Sequence, residues 1–445
     1  MKKLNKFENL LLFLLPIVIF FSYYPLIKLG ESDSMYFELS LPIIWLAIFG
    51  TISLFRMPKI AKKYGLVKTL VACAFPTYAS LAILWSENKI RGILTAGILW
   101  LIVFSVINIV EMKLTKDFLK RFLKVYLVSA AVLCVICLLQ CILDLSGVSR
   151  EYTLLCEGCT YSVLGFPHPN GLAIEPQFMG NLLIAPALIA LGLFYNAMKS
   201  KKDKRTMFGY GGLSFLYIMV LYITFSRGAL YAFGIAGALF GIILLIHDKK
   251  AWACWMLVPT ILGLGFGLLT QGIFAEISPT SENFAQGIQR SIHQVSLGKI
   301  DIREKTEDNG DQSSFSGYIE ESTDIRINWT ETAIKTWKDS NIWFGVGLGN
   351  AGTAMSRYTG GSKREIIQNE YINILTELGF VGVLLLIIAI SYMFKVSKRP
   401  DFVIIIPIVI AYLITLFFFS GFPNVLHLYL LTPVLYHLGH KRILC

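Results

Sequence analysis

The feature that most constrains this chain is a succession of uninterrupted apolar stretches, each about as long as the hydrocarbon layer of a bilayer is thick. Runs of roughly 17 to 25 apolar residues cross that layer at helical rise, and only helices or closed barrels satisfy their own backbone there. The runs are continuous rather than alternating, which selects helices over strands. They fall near 9–27, 40–55, 68–86, 92–110, 124–145, 174–196, 208–225, 229–247, 252–273, 371–394, 402–420 and 422–438. With 55% hydrophobic and 16% charged residues, the chain has too little polar surface for a soluble domain. The expected fold is an all-α membrane protein of about twelve transmembrane helices.

Charge tests that count independently, because one helix too many or too few would put every later loop on the wrong side of the membrane. With the N-terminus inside, the cytoplasmic pieces are 1–8, 56–68, 111–124, 197–208, 247–250, 395–401 and 441–445. They hold 25 of the 40 Lys and Arg but 6 of the 29 Asp and Glu, and the remainder holds 15 against 23. Both termini are therefore expected in the cytoplasm. The formal net charge of +11 reflects orientation, and basic runs such as Lys199–Arg205 sit on loops that must be basic, so nucleic-acid binding is excluded as the reading. Met1-Lys-Lys before Leu10–Phe20 looks like a signal sequence. It has no small-residue cleavage site before Tyr23-Tyr24-Pro25 and reads as a retained first helix.

Residues 1–445 read as a single polytopic membrane domain with two extracytoplasmic elaborations. The smaller, 146–174, carries Gly165-Phe-Pro-His-Pro-Asn-Gly171. Its prolines and glycines exclude a regular helix, so it is expected to fold over the outer face or dip into it. The larger, 274–369, lies between the ninth and tenth helices. Within it 301–324 is acidic, polar and expected to be mobile. Asp324–Asp339 has apolar residues at helical spacing and predicts an amphipathic helix, and Phe344-Gly-Val-Gly-Leu-Gly-Asn350 predicts a glycine-rich turn.

Cys73, Cys134, Cys137, Cys141 and Cys254 fall within the helices, as small apolar packing residues. Cys156-Glu-Gly-Cys159 would lie outside the membrane, with a local disulfide, two free thiols or a metal site as readings; no second ligand pair supports a metal.

Arg227, in Thr224-Phe-Ser-Arg-Gly-Ala229, stands between two apolar runs at their outer ends. Ionised groups there are either interfacial anchors or functional, and this hairpin gains nothing in orientation from an arginine. A phosphate is the natural partner of its planar guanidinium. Glu175 opens the sixth helix, where an acid caps the N-terminus favourably; with His168, Asn170 and Gln177 nearby, acid–base work or sugar recognition is the alternative. His168 and His293 are each the only histidine of their loop, where a structural role competes with a functional one. Glu370 and Glu377, seven residues apart, share a helical face, with Glu370 at the rim and Glu377 a deeper hydrogen-bonding partner.

Ser226-Arg-Gly-Ala229, the Arg326…Trp329 helix, Phe344-Gly-Val-Gly-Leu-Gly349 and Asn369-Glu-Tyr-Ile372 before Glu377-Leu-Gly379 stand in an order that resembles the bacterial O-antigen ligase and Wzy-type polymerase superfamily. The resemblance covers 210–395 by motif and the rest by topology. It implies a GT-C-like glycosyltransferase of the bacterial cytoplasmic membrane, acting without metal or cofactor on undecaprenyl-pyrophosphate-linked glycan at the extracytoplasmic face. A chain-length regulator or flippase would be its protein partner. Catalytic roles then fall to Arg227, Glu175 and Glu370. Substrate binding falls to Arg364, Lys363, Arg357, His168, Gln368, Asn369 and Arg326, with the loop bringing its basic residues towards Arg227. Ligases of the family carry a histidine where this chain has Gln368, and a glutamine cannot take the acceptor's proton. The expected activity is therefore polymerisation of lipid-linked repeat units into surface polysaccharide, with ligase-type transfer as runner-up. A twelve-helix transporter is the rival of another class, disfavoured because the functional charges sit at the rim and no related halves are visible.

Overall fold

The computed structural model describes the chain apart from Met1 and residues 30–36, 148–161, 164–165, 248–253, 278–282, 297–312, 361–366, 397–403, 419–424, 442 and 444–445. Helix α1 (Lys2–Val18) runs into a short 3₁₀ turn, Ile19–Phe21. The first apolar segment thus stops being helical before residue 27. Pro25 has no N–H to donate and disfavours helical geometry in Tyr24 before it. It opens β1 (Pro25–Leu29), paired antiparallel with β2 (Phe37–Ser40), Pro25 opposite Ser40.

Helices α2 (Leu41–Leu54), α3 (Met57–Tyr64), α4 (Leu66–Leu81), α5 (Lys89–Glu111) and α6 (Lys116–Leu145) follow. A two-residue ladder, β3 (Ser162–Val163) with β4 (Phe166–Pro167), precedes α7 (Pro176–Lys199), α8 (Lys204–Ile223), α9 (Arg227–His247) and α10 (Leu257–Ile277). Then come α11 (Phe284–Val295), α12 (Ser313–Asp339), α13 (Ala351–Thr359), α14 (Glu370–Val396), α15 (Ile405–Thr415) and α16 (Leu426–His440).

Among the described residues, eight helices are long and apolar enough to cross a membrane, or nine if the bent pair α2 and α3 is one span. The remaining segments expected to cross fall on α1, α15 and α16, of 17, 11 and 15 residues. Within 274–369 the described chain is largely helical. In particular 313–324, expected to be mobile, continues α12 in one helix with the amphipathic stretch read from the sequence.

Packing divides the chain into two compact units. The first holds 1–119, 325–400 and 416–441. Trp45 Nε1 donates to Leu11 O at 2.8 Å, tying α2 to α1. Tyr78 of α4 donates to Leu378 O of α14 at 2.8 Å, and the His437 ring meets Ile109 O of α5 at 2.7 Å. The second unit holds 120–324, 401–415 and 442–445. Its centre is α7, nearly all of which from Met179 to Tyr195 is buried. Close approach there rests on glycine: a Cβ on Gly263 or Gly267 of α10 would lie 2.8 or 2.7 Å from Ile218 or Tyr222 of α8. Cys134, Cys137 and Cys141 are buried packing residues of α6, as their positions in the sequence imply, whereas Cys254 is exposed. Cys156 and Cys159 lie outside the described residues.

Candidate functional site

In the second unit the segment before α7 dips into the helical body. Pro167 to Gly171 are all buried, and buried backbone needs partners. Gln140, a turn above the end of α6, supplies them: its Nε2 donates to Asn170 Oδ1 (2.9 Å) and Gly171 O (3.1 Å), and its Oε1 accepts from Gly171 N (2.8 Å). Gly171, at φ +58°, would place a Cβ 2.7 Å from Met179 Sδ, so glycine is required. The turn therefore presents His168 at a fixed place.

The His168 ring lies against that of Phe225, tilted by 51° at 5.0 Å between centroids, and Phe225 adopts φ +50°. Left-handed geometry is costly for an aromatic residue and marks a site where surrounding contacts hold the strain. Ser226 and Arg227 follow directly. Burial, and then the charge of Arg290, pull the His168 pKa from 6.5 down to about 3, so the ring is neutral at physiological pH and cannot act as a base of useful strength. Arg290 itself is only 7% exposed. It lies on α11, a helix opened by a capping box between Asn283 and Gln286 and held to the body by Tyr222 Oη to Ser291 Oγ (2.8 Å) and Tyr231 Oη to Val295 O (2.5 Å). His293 is also buried on α11, with Nδ1 unbonded among the described residues.

Ser226 N-caps α9 by position, accepting from Leu230 N at 2.9 Å. Its hydroxyl donates instead to Gln177 O, 3.0 Å away in the first turn of α7. Gly180 permits the contact, since a Cβ there would sit 2.4 Å from that of Ser226. Glu175 is the exposed N-cap of α7 and accepts a hydrogen bond from Gln177 Nε2. Two helix N-termini, each carrying partial positive charge, thus start side by side around Arg227.

In the first unit α14 is broken at Gly379 (φ 62°, ψ −166°). The freed groups are met by the glycine-rich turn. Val346 N and Gly347 N donate to Thr376 O and Glu377 O, both at 2.9 Å, while Phe380 N and Val381 N donate to Ile342 O (3.2 Å) and Trp343 O (3.1 Å). Gly345, Gly347 and Gly349 all have positive φ. Glu377 Oε1 accepts from Ala351 N at 3.3 Å, at the start of α13, the hydrogen-bonding role expected of it. Asn369 Oδ1 accepts from Ile372 N at 3.1 Å and caps α14. Glu370 is 2% exposed, with its N–H on Leu416 O at 2.9 Å. Gln368 keeps a buried Oε1 without a hydrogen-bond partner among the described residues.

The structure thus groups Arg227, Glu175 and His168 in the second unit, and Arg326, Arg357, Gln368, Asn369 and Glu370 in the first. Arg357 pairs with Glu87, and Arg326 is half-buried on α12. Lys363 and Arg364 lie outside the described residues. Sequence reasoning passed over Arg290 and Gln140. The only mark of the first was a capping box, Asn283…Gln286, ahead of a short amphipathic run.

No curated protein matches the chain. A family model does: residues 212–387 match Wzy_C, described as O-antigen ligase. The match spans the Arg227 turn, α11, the glycine-rich turn and the broken helix. Residues 212–387 are a domain of the O-antigen ligase and Wzy polymerase superfamily.

Proposed function

We propose that this protein polymerises undecaprenyl-pyrophosphate-linked repeat units into surface polysaccharide at the outer face of the bacterial cytoplasmic membrane. The reading includes twelve spans in one membrane domain, both termini in the cytoplasm, outer loops at 146–174 and 274–369, and no metal. The observation that carries it is the placement of Arg227 in the first turn of α9, beside the N-terminus of α7 and after the strained Phe225.

The reaction is a displacement. An acceptor hydroxyl oxygen forms a bond to the anomeric carbon, the bond from that carbon to the pyrophosphate oxygen breaks with its electron pair, and the hydroxyl proton passes to a base. Arg227 and the helix N-termini compensate the charge arriving on the leaving group, an effect worth a few kcal/mol per well-placed donor. Arg290, whose charge reaches His168, adds positive charge in the second unit. Neutral His168 suits hydrogen bonding to substrate. With His168 unsuited as base, Glu175 and Glu370 are left for the proton. Gln368 can accept a hydrogen bond from a sugar hydroxyl through its unpaired Oε1. Arg357, Lys363, Arg364, Asn369 and Arg326 complete the proposed substrate-binding set.

Ligase-type transfer to another acceptor is the second reading, favoured by the description of the matching family. Arg227→Ala and Arg227→Lys variants, assayed in cells for surface glycan length, test both. Single lipid-linked repeats accumulate if the protein is a polymerase, and full-length polymer stays on the carrier if it is a ligase. Normal long surface polymer in both variants would overturn the pyrophosphate role.

A further inference from the structure

The donor-site reading leaves unexplained a short helix of the first unit. The apolar run of α2 ends at Leu54 and Phe55, the latter 76% exposed, and the chain then bends by 56° into α3. Pro58 near its start suits a helical first turn, and Gly65, at φ 86°, ends it before α4 turns back into an apolar run. A membrane-spanning role does not fit α3, because Lys59, Lys62 and Lys63 fall within its eight residues.

Its pattern is that of a helix lying in the plane of the bilayer surface. Met57, Ile60, Ala61 and Tyr64 recur at helical spacing and form one stripe, with the three lysines on the opposite face. No residue of α3 is buried, and the lysines are exposed. Two acids anchor its ends to the rest of the unit. Glu8 of α1 pairs with Arg56 just before α3, and Glu111 at the end of α5 accepts from Lys63 Nζ (2.7 Å) and Tyr64 Oη. Lys113 and Lys116, exposed just past Glu111, and Lys68 just past α3 add further positive charge. The exposed lysines thus make a basic face where the apolar helix α2 ends and α4 begins.

We infer that α3 is an interfacial helix whose lysines bind the phosphates of anionic phospholipids. Lipid is the committed occupant because the apolar stripe and the adjoining exposed Phe55 and Val67 (74% exposed) would stand in the acyl boundary, which a soluble anion cannot supply. A lysine close to an anionic surface strengthens binding by up to about fivefold.

The test uses the full chain reconstituted in phosphatidylcholine vesicles with trace spin-labelled phosphatidylglycerol or spin-labelled phosphatidylcholine, and reads the ratio of their association constants. The native chain should prefer the anionic lipid, and K59Q/K62Q/K63Q should lose at least about threefold of that preference. K59Q/K62Q, which keeps the Lys63–Glu111 bond, should lose part of it, so a folding defect can be told from a lost contact. Equal binding of both lipids by the native chain would overturn the inference, as charge that only sets orientation during insertion gives no preference afterwards. So would an equal loss in K201Q/K202Q/K204Q, in the loop between α7 and α8.

Discussion

Gly379 and Trp343 meet backbone to backbone: a Cβ on Gly379 would lie 2.4 Å from the Trp343 carbonyl carbon and oxygen. The contact sits at the break in α14, where the ψ of −166° with positive φ is open to glycine alone. Gly379→Ala should therefore cost well over ~3 kcal/mol, strain and clash together. Gly360→Ala, at φ +62° with nothing within 4 Å, should cost only ~1 kcal/mol. Thermal unfolding of the two purified variants checks the contrast.

Gly180→Ala drives a methyl into Ser226 and should pry the start of α7 from the Arg227 turn. We expect shortened surface glycan together with a lowered unfolding temperature. Gly234→Ala on α9 meets nothing within 4 Å. It should leave glycan length unchanged and stabilise its helix by ~0.5–1 kcal/mol.

His168 titrates near 6.5 when unfolded and near 3 when folded, through burial first and the Arg290 charge second. Between those values the unfolded chain binds more protons, so stability is fully present above pH 6.5 and falls as pH drops through the window. The slope approaches ~1.4 kcal/mol per pH unit. Unfolding midpoints at pH 7.5 and 5.5 should differ more for the native chain than for His168→Gln. Equal differences would show that the ring is hydrated.

Gln140→Leu would leave Gly171 N–H and Asn170 Oδ1 buried without their present partner, at ~1–3 kcal/mol each. The His168 turn should loosen before the fold fails. The expected signs are a lower unfolding midpoint and, in cells, loss of long polymer while the protein still reaches the membrane.

Helices were legible in the sequence because lipid as solvent requires long apolar runs, a constraint that neighbours cannot override. The amphipathic helix of α12 and the turn at 344–350 were legible for the same local reasons. Their partners were not. Nothing in the spacing of Gly347 reveals that it abuts Ser86, whose Cα would lie 2.6 Å from an added Cβ. Gln140 looks like one polar residue in an apolar helix until the turn at 168–171 folds against it. Arg290 was hidden because a short helix inside a long polar loop has too few residues for its period to stand out. Glu377 was legible as a hydrogen-bonding partner, since a carboxylate within an apolar helix needs donors, but the Ala351 N–H that meets it was not.

The exchange of hydrogen bonds between 342–347 and 376–381 also bears on biogenesis. A span with an open backbone in mid-course is poorly suited to enter lipid by itself. Its complement lies about thirty residues upstream and so leaves the ribosome first. The turn is made before the helix that needs it, and α14 can be received as a finished pair of half-helices instead of being inserted and then repaired.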